Sequence, residues 1–137
     1  MTLPAGESLS LQLRVAHRTS TVTARVDGIL VGFVNDSSWV TFECGAGIPV
    51  DVGHRVPLVG SLAGQAFRTG QTLYCEDTEI DPRVDLNFSR GMRVRSLLCV
   101  PLRHGERVSA VLCLFSVDPS AFDDRFVASF KSLGFQD

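Results

Sequence analysis

The chain has 137 residues, 45% of them hydrophobic and 20% charged, with a formal net charge of -2. That length supports a single domain, residues 1–137, around one core, and the charge balance argues against a basic surface for nucleic acid. No uninterrupted apolar run is long enough to cross a membrane. MTLPAGES lacks the basic and apolar regions of a signal peptide, which points to a cytoplasmic protein.

SLSLQLRVAHRTSTVTARV (8–26) supports two periods. Leu9, Leu11, Leu13 and Val15 alternate as in a strand, whereas Leu11, Val15, Val22 and Val26 fit a helical stripe. Threonines at 19, 21 and 23 weaken helix propensity; the segment is nonetheless assigned to a helix. DGILVGFV (27–34) and SSWVTFEC (37–44) read as a hairpin turning at Asn35 and Asp36. GAGIPVDVGHRVP (45–57), punctuated by glycine and proline, reads as a loop.

From Val59 the period changes. Val59, Leu62, Ala63, Ala66 and Phe67 fall on one helical face, and Gly70 is placed to end the helix. TLYCED (72–77) follows as a short strand. Asp81 then caps a helical turn with Pro82 at its first position. RSLLCVPLR and RVSAVLCLFSV are strands about a turn centred on His104 and Gly105, which pairs Cys99 with Ala110. In that register Cys99 and Cys113 lie on opposite faces and cannot form a disulfide. Ser120 and Asp123 start a last helix with Phe122, Phe126, Val127, Phe130 and Leu133 as its apolar face and Gly134 as its stop. Adjacent strands exclude a regular parallel βαβ series, so the fold class is α+β, with an antiparallel sheet and helices packed against it.

Cys44, Cys75, Cys99 and Cys113 are widely spaced, with no CxxC pair, which disfavours a structural metal and suits reduced thiols. Cys75 stands beside Glu76, Asp77, Glu79 and Asp81. Carboxylates hold a thiol protonated, so the setting argues against a nucleophile. Arginines follow the acids at 83, 90, 93 and 95.

Four stretches together resemble the GAF domain, a sensory module of bacterial signalling proteins. They are GSLAGQAFRTGQTLYCED (60–77), the DPR turn, GMRVRSLLCVPL (91–102) and ERVSAVLCLFSVDPSAF (106–122). The likeness covers roughly residues 9–134 and is poorest before residue 26. It implies a central antiparallel sheet of five or six strands with helices on both sides. It also implies a small-molecule ligand between the sheet and the linkers, here residues 75–95, a homodimer through terminal helices, and a signalling output domain or partner protein.

The family's free methionine-R-sulfoxide reductases use a cysteine in the glycine-bounded helix and others before the serine-led strand. Here Ala63 or a neighbour in SLAGQA takes the first place, and GMRVRS contains no cysteine. Bilin attachment needs a linker cysteine, often beside histidine, and residues 76–95 contain neither. Haem needs an axial ligand, but His17, His54 and His104 fall on a helix surface, a loop and a turn. Phe122 with Asp123 and Asp124 echoes the cyclic-nucleotide signature without its Asn-Lys pair. No cofactor and no catalytic or metal residue is therefore assigned. The expected function is non-catalytic ligand sensing, with a ligand-free dimerisation or interaction module and the reductase as alternatives. Candidate ligand-binding residues are Phe33 and Tyr74 on strands and Asp77, Arg83, Phe88, Arg93 and Ser96 around the linker, where arginine and aromatic groups suit an anionic or planar metabolite.

Overall fold

The computed structural model describes residues 8–15, 18–36, 38–47 and 53–133. Its centre is a six-stranded antiparallel sheet made of β3 (Gly28–Asp36), β4 (Trp39–Gly47), β5 (Arg55–Pro57), β6 (Leu73–Cys75), β7 (Ser96–His104) and β8 (Arg107–Ser116). Their order across the sheet is β5-β4-β3-β8-β7-β6. This is the α+β architecture that the strand runs call for.

The first segment is a correction. Residues assigned to a helix form a separate two-stranded sheet, β1 (Ser8–Val15) with β2 (Arg18–Arg25), in a register running from Ser8↔Arg25 to Val15↔Arg18. The unbroken alternation before residue 16 and the β-branched run from 19 to 23 outweigh a helical stripe with a gap between Val15 and Val22. Residues 45–57 are a second correction, because β4 continues to Gly47 and β5 follows. Gly45 and Gly47 serve close approach of β4 to β3. A Cβ on Gly45 would meet the Ile29 carbonyl at 2.8 Å, and one on Gly47, at φ +100°, the Asp27 carbonyl at 2.2 Å.

α1 (Leu62–Thr69) has the ends its sequence specifies. The Ser61 hydroxyl accepts from Gly64 N–H at 3.0 Å, and left-handed Gly70 (φ 70°) closes the last turn on Ala66. Val59 lies outside the helix and is exposed. α1 and α2 (Leu86–Met92) cover one face of the sheet, where Leu62 and Ala66 join Leu30, Phe42, Val111 and Phe115 in the core. α3 (Asp124–Leu133) covers the other. Its Phe126, Val127 and Phe130, with Phe122 before it, bury against Leu98, Val100 and Leu114 and against Ala24 and Val26. Asp123 alone caps α3, its carboxylate accepting from Phe126 N–H at 2.8 Å, whereas Ser120 donates its backbone N–H to Glu76. The expected contribution of Leu133 and the stop at Gly134 lie outside the described side chains and residues. No helix among the described residues is long and apolar enough to cross a membrane.

The β7–β8 register is a third correction. The closing pair is His104↔Arg107, and an irregularity after Leu102↔Ala110 admits one extra residue on β8. Cys99 therefore faces Cys113, on the same side of the sheet, with the sulfurs in thiol hydrogen-bond contact at 3.7 Å and both cysteines free.

Candidate functional site

Between β6 and β7, residues 76–95 fold back over the α1 side of the sheet. Their charges pair in a nested order, Asp77 with Arg95 at 3.1 Å, Glu79 with Arg90 at 3.0 Å and Asp81 with Arg83 at 2.7 Å. The pairs close the linker on itself from outside inward. Inside them Thr78 is buried, donating its hydroxyl to the Val94 carbonyl at 2.7 Å and its N–H to the Arg95 carbonyl at 2.9 Å. Asp85 caps α2, its carboxylate accepting from the N–H groups of Asn87 and Phe88, and left-handed Arg93 (φ 59°) ends it. The turn before it is built by Asp81, whose carboxylate accepts the Arg83 N–H at 2.9 Å without starting a helix at Pro82.

Electrostatics follow from these contacts. The Arg83 guanidinium holds the Asp81 carboxyl below its ordinary value, and Arg90 does the same for Glu79. Cys75 moves the other way. Burial, and then the adjacent Asp81 carboxylate, push its thiol up to about 12, which is the protonated state its acidic surroundings lead one to expect. Burial also raises Cys99.

Under α2 lies a cavity of about 30 Å³, walled mainly by apolar groups including Phe42, Val56, Leu62, Val84, Phe88 and Leu97. That is room for one or two waters. The Phe88 ring closes it, its centroid 6.5 Å from Phe42 and 4.9 Å from His54. Its polar lining, Ser61 and Asp85, is already engaged in capping α1 and α2. Among the described residues no group of three potential ligands could hold a metal ion.

The sequence model of the GAF domain matches residues 13–136. The chain belongs to the GAF domain family. Among solved structures, the type II free methionine-R-sulfoxide reductase from Thermoplasma acidophilum aligns with TM-score 0.65 and 17% identity, over 80% of this chain and 74% of that one. The free methionine-R-sulfoxide reductase from Neisseria meningitidis, in complex with its substrate, gives 0.66 and 23% over 80% and 63%. The GAF domain of a phosphoenolpyruvate-protein phosphotransferase from Coxiella burnetii gives 0.67 and 13% over 80% and 68%. At these identities the likeness establishes the fold, and this chain spans about two thirds to three quarters of each. No curated protein matches the sequence.

Within this GAF domain the seven residues singled out from sequence separate. Phe88 lines the cavity. Phe33 does not; it shares strand parity with Ile29, which belongs to the α3-side core. Tyr74 also turns to that side, its hydroxyl accepting from Phe122 N–H at 3.3 Å and its ring edge-on to Phe122 at 5.9 Å. Asp77 and Arg83 are committed to ion pairs, and Arg83 also donates to the Tyr74 carbonyl at 2.8 Å. Arg93 is exposed at the end of α2 and has no ion-pair partner among the described residues. Ser96 is fully buried and donates to the Asp118 carbonyl at 2.7 Å. Sequence reasoning missed Val84 and Asp85 in the wall, although Asp85 before an amphipathic turn is a capping signal. It also missed the role of Thr78, for which a lone threonine offers no signal.

Proposed function

We propose that this chain is a non-catalytic sensory or regulatory GAF domain of the cytoplasm. Its small-molecule site lies beneath α2, closed in the present conformation by Phe88. The supporting observation is the linker itself. Residues 76–95 form a unit with its own nested ion pairs, anchored by buried Val94 and by half-buried Val84, Phe88 and Met92, with a water-sized cavity beneath the Phe88 ring. Such a unit can lift without unfolding the sheet. A ligand that binds only the lifted form shifts the population towards it, and an attached or partner output module, reached through a homodimer, reads the shift. Native mass spectrometry of the purified protein reports both stoichiometry and retained small molecules. A chain that carries none, and whose linker amides show unchanged hydrogen exchange across a metabolite library, would refute the ligand role.

The 30 Å³ cavity favours one second reading, a ligand-free dimerisation or interaction module, in which Phe88 is permanent core. The reductase reading fares worse chemically. It requires an accessible thiolate, and Cys75 is buried with its thiol pushed up to about 12. Single-turnover incubation with free methionine-R-sulfoxide is expected to yield no methionine, and its formation at stoichiometric yield would restore the enzyme assignment.

A further inference from the structure

β7 runs for nine residues, but its outer neighbour β6 pairs only with Leu97, Leu98 and Cys99. Past Cys99 no described strand pairs with the outer edge of β7, and a groove of about 410 Å³ lies beside it. Val100, Pro101 and Arg103 line it from the strand, Phe130 and Lys131 from the last turns of α3, and residues 70–73 from the segment joining α1 to β6. The volume is that of a small-molecule site, and it exceeds the cavity under α2 more than tenfold.

Its chemistry is one-sided. Arg103 is fixed by two backbone carbonyls, Gly70 at 2.7 Å and Glu106 at 3.3 Å, and no carboxylate pairs with it among the described residues. The absence of a side chain at Gly70 leaves room for the guanidinium, since a Cβ there would crowd Arg103 Nη2. Carbonyl contacts orient a guanidinium without neutralising it, and N–H donors remain. Lys131 is exposed where α3 borders the groove, and no Asp or Glu among the described residues lines it. Val100, Pro101 and Phe130 are buried behind this lining, so the exposed apolar surface of the groove is small and comes from half-buried Leu73. Pro101 decides against an extended peptide as occupant. It has no N–H, and a proline in a strand is tolerated where its nitrogen faces the unpaired side, which is the edge an added strand would need.

We propose that this groove binds a small carboxylate, its charge met by Arg103 and Lys131. The site lies apart from the α2 cavity and stands independently of the function proposed for it. The probe is phenylacetate, titrated into the full chain and followed by amide shifts in two-dimensional NMR, with neutral phenylacetamide as its isostere. Shifts are expected at Gly70, Gln71, Leu73, Arg103 and Lys131, with phenylacetamide binding about tenfold more weakly for want of a charge-assisted bond. Arg103→Gln should weaken phenylacetate about tenfold. Lys131→Glu, at an exposed position that leaves the fold intact, should weaken it at least as much by adding repulsion. No shift up to about a hundred millimolar, far weaker than any pocket of this size should bind, overturns the proposal. So does equal binding of the amide, indifference to Lys131→Glu, or shifts centred on Phe42 and Phe88, which would instead support the site under α2.

Discussion

On the α3 side of the sheet, Phe122, Phe126 and Phe130 form a continuous stack with centroids 5.4 and 5.1 Å apart, every ring buried. On the α2 side a half-buried ring, Phe88, meets Phe42 at 6.5 Å over a small void, and the linker bearing it adds polar contacts to the modest apolar anchorage of Val84, Met92 and Val94. Apolar burial scales with area and does not titrate, whereas exposed ion pairs are each worth a kcal/mol or less and respond to pH and salt screening. The α3 face is thus the scaffold, and the linker face is the part with a low local opening energy. A sensor needs both.

The largest expected effect tests that division directly. Phe126→Ala should cost about 3–5 kcal/mol in urea unfolding, as for a fully buried aromatic in an unrelaxed core. Phe88→Ala should cost about 1–2 kcal/mol, because the ring is only partly buried and borders a void. Equal losses would show that α2 is as much core as α3. Next in size is Thr78→Val, which leaves the Val94 carbonyl without its buried donor and should cost about 1–2 kcal/mol. Its signature is regional, with hydrogen exchange accelerating at residues 76–95 and unchanged in α3.

The same contrast explains what could be read from the sequence. α1 and the aromatic face of α3 were legible because a capping residue and a helical period agree at each. The linker charges were legible as a group, yet their nested partners were not, since pairing depends on a chain reversal that Thr78 sets through one hydroxyl. The first segment failed where two periods overlapped. The β7–β8 register failed because a turn one residue further on and an extra residue near Ser109 leave no mark in composition. Together they slide Cys113 opposite Cys99, and an odd shift changes the face. Phe33 and Tyr74 illustrate that same period-two problem, in which a strand can be located without knowing which way its side chains point.

The pH response sharpens the comparison on the linker side. Arg83 depresses the folded Asp81 carboxyl below its unfolded value. The resulting stabilisation is fully present above the ordinary carboxylate range and is lost as pH falls through the depressed value. Urea midpoints taken downward from pH 6 should fall more steeply in the native sequence than in Arg83→Gln, whose Asp81 lacks the partner. Parallel curves would mean that the pair contributes nothing to the fold.

The smallest effect is a rate. Cys75 sits under the linker against Asp81, while Cys113 lies in the central strand β8. Both are buried, and Cys44 on β4 is exposed. Iodoacetamide at pH 8 should therefore label Cys44 first, and the remaining thiols only through opening of the structure. If the linker opens alone, Cys75 is reached before Cys113, because lifting residues 76–95 removes its cover and its acidic neighbour while leaving β8 paired on both sides. Thr78→Val should then speed Cys75 labelling several-fold by lowering the opening energy by about a kcal/mol, with Cys113 little changed. Peptide mass spectrometry separates the two sites. Equal acceleration at both would mean that the linker opens only when the sheet does, and the two faces would have to be treated as one cooperative unit.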